Sequence, residues 1–124
     1  MKILAAEHSN SMHQVLRGAS QVLGHGILKA HDAREVMEIL PAHYPDIALI
    51  VLDWALPGVD GSEMLPWIKG DARFAQIPVM VLLSDEDSAA AIEAYQLGAS
   101  ECLVRSSTEQ DLVTRMLECI GRAA

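Results

Sequence analysis

The sequence predicts an α/β domain in which a parallel sheet carries helices on both faces. Three observations predict it. Short apolar runs alternate five times with longer stretches whose apolar residues recur at helical spacing. The most apolar run, Ile47 to Leu52, is too short for a typical helix and is partly β-branched, as a strand covered on both faces should be. The chain has 124 residues, 51% of them apolar, which suits one domain with a respectable core and excludes a disordered linker. Residues 1–124 are therefore taken as a single domain.

Each element follows from local signals. Ile3 to Ala6 is the first short strand. Met12, Val15, Leu16, Ala19, Val22 and Leu23 mark the first helix, with Gly24 and Gly26 around its stop. Ile27 to Ala30 is the second strand. Asp32 is a good N-cap for a helix carrying Val36, Met37 and Leu40, which Pro41 and Pro45 should end. Ile47 to Leu52 is the central strand. The turn Leu56-Pro57-Gly58-Val59-Asp60-Gly61 leads to a helix with Met64, Leu65 and Ile68 on one side and Pro66 in or near its first turn. Pro78 opens the strand Val79 to Leu83. Ser84 or Asp85 should cap the Ala-rich helix Ser88 to Leu97, which Gly98 stops. Cys102 to Val104 is the last strand. Ser106 to Thr108 starts a helix with Leu112, Val113, Met116, Leu117 and Ile120, expected to end at Gly121.

Composition narrows the function classes. Nine Lys and Arg against 17 Asp and Glu give a net charge of −8, which argues against nucleic-acid or anionic-membrane binding by the domain. Two cysteines, Cys102 and Cys119, are too few for a disulfide scaffold or a structural zinc site, and suit a reducing, cytoplasmic setting. No apolar run reaches the ~18 residues of a membrane span. The start Met1-Lys2-Ile3-Leu4 turns polar by Glu7, too soon for a signal-peptide core.

In a parallel sheet of this kind, ligands bind outside the carboxyl ends of the strands. The first strand delivers Glu7 and His8 there, the third Asp53, the fourth Leu83 and Ser84, and the fifth Arg105. Two carboxylates and one cation suit either a hard metal ion or an acid–base pair.

At this point the chain resembles a family. The run Ile50-Val51-Leu52-Asp53-Trp54-Ala55-Leu56-Pro57-Gly58-Val59-Asp60-Gly61 is similar to the phospho-acceptor segment of response-regulator receiver domains, the chemotaxis-regulator type included. Ile77-Pro78-Val79-Met80-Val81-Leu82 resembles the family's fourth strand, and Leu97-Gly98-Ala99-Ser100 its approach to the fifth. The resemblance implies a flavodoxin-like three-layer α/β/α sandwich with a five-stranded parallel sheet in the order 2-1-3-4-5. It also implies a bacterial two-component phosphorelay and not an enzyme. A histidine kinase or phosphotransfer protein donates a phosphoryl group to the Asp, a divalent cation offsets the charge, and output is by contact through the fourth helix, fifth strand and fifth helix. Pairing with a second copy of the chain is left open.

Carried over residue by residue, Asp53 matches the acceptor. Glu7 and His8 stand where two acids are expected, so Glu7, His8 and Asp53 would form a weakened Mg²⁺ site, or one that binds none. The hydroxyl position holds Leu83, with Ser84 one residue late as a substitute facing the other way. Arg105 takes the Lys position, Ser106 that of a Pro preceded by a cis bond, and Cys102 that of the aromatic switch. With His8 neutral the pocket carries about one negative charge, against about two for three acids and a lysine. Arg105 is expected to pair with Asp53, and the Arg105–Ser106 bond to be trans.

Plainer readings stand beside these. For His8, a neutral loop histidine is preferred over a ligand for Zn or Fe. His13, His25, His31 and His43 are read as surface residues, and Cys102 and Cys119 as small buried hydrophobes. Trp54 should sit at the pocket rim and Trp67 in a helix–sheet seam. The run Asp85-Glu86-Asp87 reads as a helix N-terminus. Two alternatives use the same architecture. A flavodoxin-like FMN binder would need a phosphate cradle after the first strand, where Glu7-His8-Ser9-Asn10-Ser11 has hydroxyls but also an acid. A metal-dependent phosphatase would need a second Asp beside Asp53, where Trp54 and Ala55 stand.

Overall fold

The computed structural model describes residues 1–85 and 87–123. Five strands, β1 (Lys2–Ala6), β2 (Gly26–Ala30), β3 (Ile47–Asp53), β4 (Val79–Leu83) and β5 (Glu101–Val104), alternate with five helices. These are α1 (Asn10–Val22), α2 (Ala33–His43), α3 (Gly61–Lys69), α4 (Ser88–Gln96) and α5 (Glu109–Ala123). The strands form one parallel sheet in the order β2-β1-β3-β4-β5, as the resemblance implies.

Strand alternation divides the core in two. Leu4, Ala6, Ile50, Leu52, Val79, Val81 and Leu83 face α2, α3 and α4, where they meet Val36, Leu40, Met64, Leu65, Ile68 and Ala94. Ile3, Ala5, Leu49, Val51, Met80 and Leu82 face α1 and α5, against Leu16, Ala19, Leu112 and Met116. Apart from Ala48, every residue of β3 is buried, as its unbroken apolar run requires. No described helix is long and apolar enough to cross a membrane.

Several boundaries differ from the local signals. Pro41 lies inside α2, two residues before its last residue His43, where one lost N–H is tolerable and the Tyr44 N–H still reaches the Leu40 carbonyl. Pro45 belongs to the 3₁₀ turn Tyr44–Asp46 that feeds β3. Pro66 sits past the first turn of α3, because the helix already starts at Gly61, where the Asp60 carbonyl accepts from Glu63 and Met64 N–H at 3.0 and 2.9 Å. Asp87, not Ser84 or Asp85, caps α4, its Oδ1 accepting from Ala90 N–H at 3.1 Å. Glu86 lies outside the described residues. Thr108 Oγ1 accepts from Asp111 N–H at 3.1 Å ahead of α5, which runs on through Gly121 to Ala123. Asp53 closes β3, and Glu101 opens β5 one residue earlier than the apolar run suggests.

Two glycines shape the turn after Asp53. Gly58 has φ +97°, a left-handed conformation that side chains disfavour, and it passes against Ala33 at the start of α2. Gly61 lies under the Trp54 ring. A Cβ there would meet Trp54 Cε3 at 2.4 Å and the Trp54 carbonyl oxygen at 2.9 Å. Gly61→Ala should therefore destabilise the fold by about 1–3 kcal/mol through overpacking and shift the Trp54 emission, read by urea unfolding followed at tryptophan fluorescence. An unchanged unfolding midpoint would show that the ring swings away freely.

Candidate functional site

The carboxyl ends of β1, β3 and β5 bring Glu7, His8, Asp53 and Arg105 together. Glu7 and Asp53 are 0% and 1% exposed. Each needs donors, because a buried carboxylate without partners costs several kcal/mol. Asp53 Oδ1 accepts from Ala55 N–H at 3.0 Å, and the strand end is fixed by Trp54 N–H donating to the Leu82 carbonyl at 2.9 Å. Asp53 Oδ2 accepts from His8 Nδ1 at 2.5 Å. Glu7 accepts from Arg105 Nη1 through both oxygens and from Ser9 N–H at 3.1 Å. His8 Nδ1 is 3.3 Å from Glu7 Oε1, and Arg105 Nη1 is 3.4 Å from Asp53 Oδ2.

Arg105 does pair with Asp53, as expected, but at the longer of its two carboxylate distances. The close partner of Arg105 is Glu7, whose extra methylene carries its carboxylate further toward β5. Asp53 takes its short bond from His8. The His8 side chain is 47% exposed, so the ring spans from solvent to the buried pair. The other strand-end residues are placed as parity dictates. Leu83 packs into the α2/α3/α4 core, and Ser84 is exposed beyond the end of β4. Ser84 borders a cleft of 130 Å³ with Trp54, Ala55, Asp60 and Asp87, and makes no hydrogen bond to Asp53 among the described residues. No cis peptide occurs among the described residues, so the Arg105–Ser106 bond is trans. Arg105 still reaches the cluster, held by its own N–H on the Leu83 carbonyl at 2.8 Å.

The loop after β1 already uses its Ser9 groups internally. Ser9 N–H is taken by Glu7, Ser9 Oγ accepts from Met12 N–H at 3.3 Å as the N-cap of α1, and Ser9 and Ser11 hydroxyls bond each other at 2.8 Å. A flavin phosphate would meet the Ser9 N–H already engaged and the buried Glu7 carboxylate there.

His13 overturns its reading as a surface residue. It is buried, its Nε2 donates to the Glu7 carbonyl at 2.6 Å, and its ring lies 4.5 Å from that of His31. Burial holds its pKa below the usual histidine value. Its place three residues before Leu16, on the buried stripe of α1, was the available signal. Cys102 is half-buried against α4, and burial pushes its thiol up to about 11, which leaves no thiolate at neutral pH. Cys119 is buried. Trp54 is half-buried over Gly61, and Trp67 packs on Phe74 at 5.5 Å.

A second charged cluster had no sequence signal. Glu101, at the start of β5, accepts from Tyr95 OH at 2.9 Å, from Arg115 at 3.1 Å and from Arg122 at 3.4 Å. The Tyr95 oxygen also accepts from Cys102 N–H at 3.1 Å, which satisfies an N–H on this edge strand. Burial pushes the Glu101 carboxyl up, but the bonds from Tyr95, Arg115 and Cys102 N–H outweigh it and hold it below the usual glutamate value. Beside it an open cleft of 290 Å³ lies between α4 and β5, lined by Leu83, Asp87, Ala91, Tyr95, Cys102 and Val104.

One ligand atom each from Glu7, His8 and Asp53 lies within 4.8 Å of the others, as a metal site requires. Mg²⁺ favours oxygen ligands in near-ideal octahedral geometry; Glu7 and Asp53 offer carboxylate oxygens here, His8 offers an imidazole nitrogen, and the Arg105 guanidinium lies on Glu7.

Comparison with known proteins places these features in context. The response regulator receiver domain model matches residues 3–117. The chain is 26% identical over 122 residues to chemotaxis protein CheY1 of Helicobacter pylori, covering 98% of both chains. It is 33% identical over 106 residues to the probable transcriptional regulatory protein NarL of Mycobacterium tuberculosis, covering 84% of this chain and 44% of that one. Its backbone superposes on a putative response regulator from Chloroflexus aurantiacus with a TM-score of 0.89 at 20% identity, covering 98% of each.

Two outcomes are expected from this geometry. Arg105→Ala leaves Glu7 buried without its cation and should cost about 3 kcal/mol in urea unfolding, while adding Glu7→Gln should recover much of the loss. Strictly additive losses would mean that the pair is not coupled. At alkaline pH, burial and the Glu101 carboxylate push the Tyr95 phenol up to about 12 from 10. The folded state then keeps a proton that the unfolded chain releases, so stability is full below pH 10 and falls as pH rises toward 12. The absorbance titration of phenolate should lose its uppermost step in Tyr95→Phe.

Proposed function

This chain belongs to the response regulator receiver domain family of two-component signalling, and on that premise we propose that it is an atypical receiver whose resting state is held by its own Arg105 and His8. Asp53 is the phospho-acceptor position, served by a histidine kinase or phosphotransfer protein. The observation that carries the reading is the pairing of His8 with Asp53 and of Arg105 with Glu7.

For Asp53 to attack phosphorus, an oxygen must be free to approach in line. Oδ1 is engaged by Ala55 N–H and Oδ2 by His8, so attack requires the His8 bond to open first. Glu7 is neutralised by Arg105, which leaves that guanidinium less available to a transferring phosphoryl group. Leu83 offers no hydrogen bond to a phosphoryl oxygen, and an unpaired oxygen in a partly desolvated site costs about 1–3 kcal/mol. The imidazole and the nearby guanidinium also weaken Mg²⁺ binding, because about one negative charge remains to attract it. Transfer to Asp53 is therefore slow. The protein works by contact through α4, β5 and α5, either constitutively or after a weak phosphorylation.

The output face differs from the family's pattern as well. Leu83 and Cys102 replace both ends of the hydroxyl–aromatic pair that couples site to surface in the family. In this chain α4, β5 and α5 are joined instead through Tyr95, Glu101 and Arg115. That bonding holds one surface without needing a phosphoryl group.

The test is incubation with a small phosphodonor and Mg²⁺, read by intact mass. The unmodified protein should gain a phosphoryl group slowly or not at all. His8→Asp combined with Leu83→Thr should raise the rate by about tenfold or more, the factor that a regained hydrogen bond of ~1.4 kcal/mol gives. Asp53→Asn should abolish the gain in that background. Rapid, complete modification of the unmodified chain would make it an ordinary phospho-receiver.

A further inference from the structure

We infer that the Glu7–His8–Asp53 cluster selects a borderline transition-metal dication of the Zn²⁺ class over Mg²⁺. The inference rests on the placement of His8 argued above. The position is where receiver domains bind Mg²⁺, and what is new is the class of ion that this chain's donor set accepts.

Two of the three donors are preorganised. Asp53 is fixed through Oδ1 by Ala55 N–H, and Glu7 through Oε1 by Ser9 N–H. Such outer bonds hold ligating carboxylates in position. The Glu7 backbone is pinned on both sides, its N–H on the Ala30 carbonyl at 2.9 Å and its carbonyl under His13 Nε2 at 2.6 Å. His8 completes the set with Nδ1 aimed at both carboxylates while its ring stays half in solvent. The half-exposed ring gives an ion from solvent a way to Nδ1 and the buried oxygens.

Spacing agrees. Tetrahedral ligands about 2.0–2.1 Å from Zn²⁺ stand about 3.3 Å apart. His8 Nδ1 and Glu7 Oε1 are already 3.3 Å apart, and the ion must displace Arg105 Nη1 from that oxygen to bind there. Nδ1 and Asp53 Oδ2, at 2.5 Å, must open by less than an ångström as the ion takes the place of the shared proton. The half-exposed His8 ring is free to make that shift.

Selectivity comes from the nitrogen. Arg105 on Glu7 leaves the cluster with about one negative charge when His8 is neutral, which weakens attraction for every dication alike. Mg²⁺ depends on charge and oxygen donors and gains little from imidazole. Zn²⁺, Ni²⁺ and Co²⁺ gain a metal–nitrogen bond that the charge balance leaves intact.

The test uses the full chain without any phosphodonor, so its outcome is independent of whether Asp53 is phosphorylated. Calorimetric titrations with ZnCl₂ and MgCl₂ are compared, with circular dichroism as the check on fold. One Zn²⁺ per chain should bind about tenfold or more tighter than Mg²⁺. Both His8→Ala and Asp53→Asn should weaken Zn²⁺ by about tenfold or more. His8→Asp should lower the Zn²⁺ to Mg²⁺ affinity ratio by strengthening Mg²⁺. Because His8 is half-exposed, these His8 variants should keep the fold. Comparable affinities for the two ions overturn the inference. So does Zn²⁺ binding left unchanged by His8→Ala, which would place the ion on other histidines or cysteines.

Discussion

Two carboxylates buried side by side set the terms for this structure. Glu7 and Asp53 end neighbouring parallel strands, and both are removed from water. The penalty for burying an ion is several kcal/mol, and it has to be offset locally by donors and opposite charge. Arg105 supplies a fixed charge from β5, His8 a ring nitrogen from the β1–α1 loop, and Ser9 and Ala55 their N–H groups. The same contacts therefore close the site and tie the ends of β1, β3 and β5 together. The cluster and the strand ends are held by one set of bonds, so a change that opens the cluster also loosens three strand ends.

Strand parity decides which residues can join that set. Asp53 follows Leu49 and Val51 on the α1/α5 side, and Arg105 follows Leu103 on the same side. Leu83 belongs to the opposite parity and packs toward α4. A one-residue offset moves a side chain to the other face, which is why Ser84 does not replace a hydroxyl at Leu83. The site is consequently rich in groups that neutralise charge and poor in groups that bind a phosphoryl oxygen.

On the α4–β5–α5 face, Glu101 has the role of a hub. It takes Tyr95 from α4 and Arg115 and Arg122 from α5, while Tyr95 also covers an N–H of the edge strand. Three elements are thereby linked through one partly buried carboxylate. Cys102 contributes little beyond its small volume, and the adjoining cleft lies where a larger side chain on β5 would project.

The fold and the strand-end placement of the charged cluster could be read from the sequence. The βα alternation, the apolar run ending at Asp53, the Pro57-Gly58 turn and the strand-end positions of Glu7, His8 and Arg105 were all legible, because period and local turn chemistry are written in neighbouring residues. Pro41, Pro66 and Asp87 were misplaced in their helices, because packing and carbonyl geometry settle where a helix begins and ends. The pairing was settled in the folded sheet: Arg105 between both carboxylates but nearer to Glu7 than to Asp53, His8 turned inward, His13 buried under Glu7, and Tyr95 and Arg115 joined at Glu101. Glu7 and Arg105 are 98 positions apart and Asp53 and His8 are 45 apart. No local pattern encodes which cation meets which carboxylate when four charged or polar groups converge. That choice depends on arm lengths and strand offsets of a few ångströms, and these exist only once the sheet has formed.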